Sequence, residues 1–219
     1  MLSWLTNAWR VPELRRRVLF TAFILAVYRL GSWIPSPGVD SETIENYFDT
    51  RGDTILGLLN LFSGGALSQF SLFALGIMPY VTASIIVQLM TVVIPRLGEL
   101  QREGEAGYAK ITQYTRYVTI GLAILQSTAI LSLARTPGAL FSGCNEQIIP
   151  NQSVWVILVM VIVMTAGTSV IMWFGELITE RGVGNGMSIL IFTSIIATIP
   201  AQFASIWGSH GPFTFAMTL

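Results

Sequence analysis

Residues 54–95 form a run of 42 residues without a single charge, and no other feature constrains this chain so strongly. Further charge-free stretches lie at 117–134, 147–175 and 182–219, with His210 taken as neutral. Only 11% of the 219 residues are charged and 53% are hydrophobic, where an ordinary soluble domain carries about 25% charge. So little charge cannot coat a soluble globule of this size. A typical cytosolic enzyme, a disordered chain and a nucleic-acid binder with a basic field are therefore excluded. One cysteine rules out a disulfide framework, and one histidine beside it argues against a zinc site.

A bilayer core of about 30 Å needs about 20 apolar helical residues. Helices are the economical solution, because lipid offers no partner to an unpaired backbone amide. The sequence thus predicts an all-α, polytopic membrane protein with spans at 18–34, 77–94, 117–134, 154–174 and about 187–203. The first span contains one charge, Arg29, close enough to its end for the side chain to snorkel toward the headgroups. That segment ends in Trp33-Ile34-Pro35-Ser36-Pro37 rather than a small-x-small cleavage site, which argues against a signal peptide.

Alternating spans make a testable prediction about basic residues. Arg10, Arg15, Arg16, Arg17, Arg96, Arg102, Lys110, Arg116 and Arg181 fall on one side; Arg51 and Arg135 fall on the other, with Arg29 near that end. The positive-inside rule places the first group and the N-terminus in the cytoplasm. The loop 36–54 carries Asp40, Glu42, Glu45, Asp49 and Asp53 against Arg51, which suits the outside. Residues 1–17 read as a cytoplasmic interfacial segment, with Trp4 and Trp9 suited to the headgroup zone, or alternatively as a disordered tail.

The 42-residue run is too long for one helix, and 60–69 is too polar and glycine-rich to face lipid. Two readings fit residues 55–75: a short broken segment covered by protein at membrane depth, or a loop on the outer surface. Gly182-Val183-Gly184-Asn185-Gly186 follows no strand, so a nucleotide-binding reading fails; a tight turn using glycine freedom is favoured over a helix-packing motif. Glu176 and Glu180, one turn apart beside Arg181, read as a solvated ion-pair turn rather than an acid–base couple. The spans hold neutral polar residues instead, Gln88 and Gln126, whose bland role is interhelical hydrogen bonding.

Three stretches carry a resemblance: Ile34-Pro35-Ser36-Pro37-Gly38, Asn60-Leu61-Phe62-Ser63-Gly64-Gly65-Ala66-Leu67-Ser68, and Phe73-Ala74-Leu75-Gly76-Ile77-Met78-Pro79-Tyr80. Others are Arg102-Glu103-Gly104-Glu105, Lys110-Ile111-Thr112-Gln113-Tyr114-Thr115-Arg116-Tyr117 and Ile178-Thr179-Glu180-Arg181-Gly182-Val183-Gly184-Asn185-Gly186. Together they resemble the SecY family, central subunits of the bacterial protein-translocation channel, from about residue 14 to residue 204. The family has ten helices in two inverted halves. The resemblance implies that this chain is the first half, helices one to five, with 205–219 as an external connection toward a sixth. A complete member is expected to be about twice as long.

The resemblance also implies roles. Residues 55–75 become the plug, a short broken helix closing the outer vestibule, with Asn60, Phe62, Ser63, Gly64 and Gly65 at its core. Ile77, Val81, Met187 and Ile191 match the apolar pore ring; without the resemblance they would be ordinary packing residues. Gln88 and Gln126 match the lateral gate. Arg102, Lys110, Arg116, Glu176 and Arg181 lie in or beside loops that would face cytoplasmic partners. The implied partners are SecE- and SecG-like small membrane subunits, the SecA motor ATPase, the ribosome, signal sequences with the translocating polypeptide, and membrane lipid. No cofactor, metal or covalent chemistry is expected. The competing readings are a small-solute transporter and a membrane enzyme.

Overall fold

The computed structural model describes residues 11–37, 60, 62–134 and 153–200. Among these the regular structure is helical, with one isolated antiparallel bridge between Pro35 and Ser71. The helices are α1 (Pro12–Gly31), α2 (Met78–Val93), α3 (Pro95–Arg102), α4 (Glu105–Ala134), α5 (Val154–Arg181) and α6 (Gly186–Pro200). The expected interfacial residues 1–10, most of the 36–54 loop, plug positions 55–59 and 61, Cys144, and residues 201–219 lie outside the described set.

Local chemistry explains the helix limits. Pro12 opens α1, where its missing N–H costs nothing, with Glu13 in the first turn. At the other end the Ser32 hydroxyl donates to the Arg29 carbonyl at 2.7 Å. Pro95 forces Ile94 out of the helical region, to φ −100 and ψ 110, so α2 stops there. The chain restarts as α3 after a bend of 101°. Residues 96–102, expected as loop, are therefore a short helix. Gly104 takes φ +78 between α3 and α4, a left-handed conformation that glycine adopts without penalty. α4 then begins at Glu105, twelve residues before the expected apolar span.

α5 is long and apolar enough to cross a bilayer by itself, with mean hydropathy 2.5 over an 18-residue stretch, and α2 with α3 is so only as a bent pair. Its inward face carries Met160, Met164, Gly167, Ile171, Phe174 and Ile178, at the spacing of one helical side. Its outward face is equally apolar: Val154, Trp155, Leu158, Val159, Ile162, Val170 and Trp173 are exposed. A helix apolar on all sides, with its outer side uncovered, has lipid as its natural solvent.

Two apolar clusters hold the helices together. One joins Leu67, Phe70, Ala74 and Leu75 to Ala123 and Leu131 of α4 and Met160 and Met164 of α5. The other joins Ala66, Phe73 and Ile77 to Ile24 and Tyr28 of α1, Ile171 and Ile178 of α5, and Leu190 of α6. The segment 66–77 thus runs between all the long helices, mostly as turns, and is buried along much of its length. Gly167 admits it: a side chain there would strike the Leu72 carbonyl.

Candidate functional site

The α5–α6 turn sets the geometry of the site. Asn185 caps α6, its side-chain oxygen accepting from the N–H of Met187 at 3.0 Å and of Ser188 at 3.3 Å. The Gly186 N–H donates to Thr179 Oγ1 at 2.9 Å, and a Cβ on Gly186 would collide with the Gly175 carbonyl. Gly182 packs equally tightly against Thr21 and Ile178, while Gly184 holds φ +69 in the open. Turn formation and close helix packing are therefore both present in this short motif. Thr21 Oγ1 also accepts from the Val183 N–H at 3.3 Å, tying α1 to the turn.

With α6 folded back in this way, a pocket of about 520 Å³ opens between α2, α4, α5 and α6. Tyr80, Val81, Ser84, Ile85 and Gln88 line it from one face of α2; Met187, Ser188 and Ile191 line it from one face of α6. α4 contributes Tyr108, Thr112 and Arg116, and α5 contributes Glu176, Thr179 and Glu180. Arg116 meets Glu176 in two parallel bonds, Nε to Oε1 and Nη2 to Oε2, each 2.8 Å. Glu176 is thus paired across helices rather than within a solvated turn. The result is a concave surface with polar walls, carrying Arg116 against Glu176 and Glu180, and an apolar patch. Among the described residues no three His, Cys, Asp or Glu side chains cluster as metal ligands would.

The four ring candidates come together in one cluster. Ile77 is buried within it, and Val81, Met187 and Ile191 pack against it half-buried. Ile77 sits just before the first turn of α2 and does not line the pocket; the other three do. Gln88 is exposed and lines the pocket, whereas Gln126 is half-buried on α4 outside that lining. Arg102, Lys110 and Arg181 are exposed at the ends of α3, α4 and α5.

Of the plug candidates, Asn60 and Phe62 keep helical backbone and Ser63–Gly65 form a turn, with Gly64 at φ +68 and Gly65 at φ +86. Asn60 organises the turn. Its carbonyl accepts from the Gly65 N–H at 2.9 Å and the Ser63 hydroxyl at 3.0 Å, and its side chain accepts from the Ser68 N–H at 2.9 Å. The buried Ser63 and Gly64 lie against the rest of the fold, and Gly64 faces Ser194 of α6 closely.

Two neighbouring residues of α1 were not among the expected site residues. Tyr28 stacks on Phe73, with ring centroids 5.6 Å apart, and meets Ser194 Oγ at 2.8 Å. Arg29, expected to reach for headgroups, turns inward and donates from Nη1 to the Gly64 carbonyl at 2.6 Å. The signal was present in the sequence: a charge inside an apolar span is costly and marks a specific partner.

Comparison with known proteins fits this geometry. The SecY family model matches residues 71–219. The protein translocase subunit SecY of Streptomyces coelicolor is 58% identical over 210 residues, covering 94% of this chain and 48% of that protein. The same-named protein of Mycobacterium bovis is 52% identical over 219 residues, covering 98% of this chain and 49% of its own. The chain thus spans about half the length of these relatives. Among solved structures, a protein conducting channel aligns with TM-score 0.58 at 15% identity, over 95% of this chain and 43% of that one. Sec61 in the canine ribosome-channel complex from the endoplasmic reticulum aligns with the same score, identity and coverage.

Proposed function

Because this chain belongs to the SecY family, we propose that it forms one half of the wall of a protein-conducting channel in the bacterial cytoplasmic membrane, passing unfolded secretory polypeptides across and membrane segments sideways into lipid. The observation that carries this reading is the pocket itself, whose polar walls converge on an apolar patch of Val81, Met187 and Ile191 from facing helices. Walls made mostly of neutral polar groups, with Arg116 paired to Glu176, admit polypeptide of varied sequence. An apolar constriction grips a chain while resisting hydrated ions, because stripping their water is costly. Ile77 backs the ring from within the core.

The turn around Ser63–Gly65 is the plug, resting beside α6 next to that constriction. Gln88 and Gln126 belong to the lateral gate, where weak neutral hydrogen bonds let a seam part. The five apolar segments are membrane spans, with the N-terminus cytoplasmic. Arg102, Lys110 and Arg181 present positive charge at that end to the ribosome or a SecA-like motor, and SecE- and SecG-like subunits complete the assembly. The chain does no covalent chemistry; the driving force comes from its partners.

The test is idle conductance in planar bilayers, measured on a complete channel carrying this half. Deleting residues 57–67 is expected to raise resting leakage while translocation continues, and to relax the demand for a strong signal sequence. Unchanged leakage together with unchanged stringency refutes the plug.

A further inference from the structure

The plug region divides into a fixed base and a tip, and the two are held differently. The base is stapled throughout. The Ser36 N–H donates to the Phe70 carbonyl at 3.0 Å and the Leu72 N–H to the Ile34 carbonyl at 2.9 Å. Phe73 stacks on Tyr28, and its ring fills the space above Gly31, where a Cβ would collide with it. Ala66 and Leu67 are anchored in separate apolar clusters.

The tip, Asn60 with Phe62–Gly65, satisfies most of its polar groups locally. The Ser63 hydroxyl bonds to the Asn60 carbonyl within the tip, and three further bonds join the tip to Leu67 and Ser68 beside it, including the Ser68 hydroxyl to the Gly65 carbonyl at 2.7 Å. Leu67 and Ser68 are thus the hinge on which the tip turns, and none of these bonds reaches a long helix. Phe62, its large apolar side chain among the described residues, is exposed rather than buried. Among the described residues, the side-chain bond that ties the tip to a long helix is the one from Arg29 to the Gly64 carbonyl. Gly64 at the same time lies close against α6, where a Cβ would come within 3.3 Å of the Ser194 Cα.

We propose that Arg29 is the latch of the plug tip: its guanidinium holds the Gly64 carbonyl and so sets how readily the tip lifts from α6, while residues 66–77 stay in place. This rests on the reading of 60–65 as the plug and adds the residue that tunes it. A charged donor on a carbonyl inside the protein is strong enough to matter and single enough to release. Arg29 is a positioning residue, acting through Gly64 rather than on the passing chain.

The test compares two cysteine probes in a complete channel with Cys144→Ser. Ser63→Cys reports the tip and Ser71→Cys the base; both serines are buried, at 3% and 0% exposure. With Arg29 intact, both probes should react slowly with a small permeant thiol reagent. In Arg29→Met, the Ser63→Cys probe should react about tenfold faster or more, the scale of one charged hydrogen bond, while Ser71→Cys stays protected. Arg29→Lys, which keeps one donor, should fall between. Idle conductance should rise in the same order. Unchanged protection at position 63 overturns the latch. Exposure at both positions also overturns it, by showing that Arg29 merely supports the fold. If deleting 57–67 raises conductance but Arg29→Met changes neither readout, the latch fails and the plug survives. If the deletion itself is silent, the plug reading fails independently of the cysteine result.

Discussion

Arg116 of α4 and Glu176 of α5 form a two-pronged ion pair, both bonds 2.8 Å long, in the wall of the pocket between α2, α4, α5 and α6. The Arg116 side chain is 47% exposed and that of Glu176 only 18%. An exposed pair is worth little, but a bidentate one with a mostly covered carboxylate lies above that floor. Removing Arg116 also leaves Glu176 without its partner in a partly dry site.

Arg116→Ala is therefore expected to lower stability by about 1–2 kcal/mol, and Glu176→Gln by less, since the amide remains a hydrogen-bonding group. A double-mutant cycle, read by thermal unfolding in detergent, should give a coupling energy of about 1 kcal/mol or more. Strict additivity would mean that the two groups do not depend on each other.

The glycines of the α5–α6 turn provide a ranking. Gly186→Ala drives a methyl into the Gly175 carbonyl and the Ile178 side chain, so backbone has to move. It should be among the most damaging single changes, on the order of 3 kcal/mol or more. Gly184→Ala meets only the end of the Ile189 side chain, at an ordinary 3.9 Å, but must hold φ +69, a cost of about 1–2 kcal/mol. Gly121→Ala, in α4 with nothing near its missing Cβ, should be neutral or stabilising by up to about 1 kcal/mol. Expression and melting temperature of the three variants check the order, and Gly186→Ala ranking mildest contradicts the packing.

How far the sequence carries the fold can be seen at these same places. Missing charge locates the apolar segments because it reports solvent directly. It says nothing of polar helix, so 95–102 and the first turns of α4 look like loop. The end at Ile94 is legible, since Pro95 restricts the residue before it, and the expected span stops there; the restart as helix is what the apolar pattern does not show. The pocket-lining face of α2, from Tyr80 to Gln88, follows from helical periodicity once a facing helix is known. Which helix faces it is a tertiary fact. The Arg116–Glu176 pair spans 60 residues and the Tyr28–Ser194 contact 166, and no local pattern encodes such separations. Arg29 is the instructive case. Its position within an apolar span was plain, but snorkelling and an internal partner predict the same sequence.

Tyr28 and Ser194 lead to a directional prediction. The Ser194 hydroxyl already donates to the Leu190 carbonyl at 2.9 Å. With one hydrogen to give, it must accept from Tyr28. Tyr28→Phe keeps the stack on Phe73 and leaves a satisfied serine, at a cost near 0.6 kcal/mol, typical between membrane helices. Ser194→Ala strands the Tyr28 hydroxyl, in a residue only 2% exposed, and should cost about 1–3 kcal/mol. Thermal unfolding of both variants decides; equal or reversed costs would contradict this donor assignment.

Topology is checked by labelling. Arg102 and Arg181 are exposed at the ends of α3 and α5. Cysteines placed there in a Cys144→Ser background should resist an impermeant thiol reagent added to intact cells and react once the membrane is opened. Labelling of position 102 from outside would reverse the orientation of every span.

The ring candidates divide into two kinds, and this separates packing from function. Ile77 is 4% exposed and sits within the cluster formed by Phe73, Ile171 and Leu190. Val81 and Ile191 are half-buried and face the pocket. Ile77→Ala should leave a cavity and cost about 2–4 kcal/mol. Val81→Ala with Ile191→Ala removes side chains that are covered on one side only, so each should cost about 1 kcal/mol or less. In the proposed channel those two would narrow the opening. In a complete channel lacking residues 57–67, so that the plug cannot mask the effect, the double variant should conduct ions better than its parent at nearly unchanged melting temperature. Ile77→Ala should show the reverse balance, losing stability first. A Val81/Ile191 double variant that folds normally and conducts no better would return both residues to ordinary packing and remove the constriction from the proposed channel.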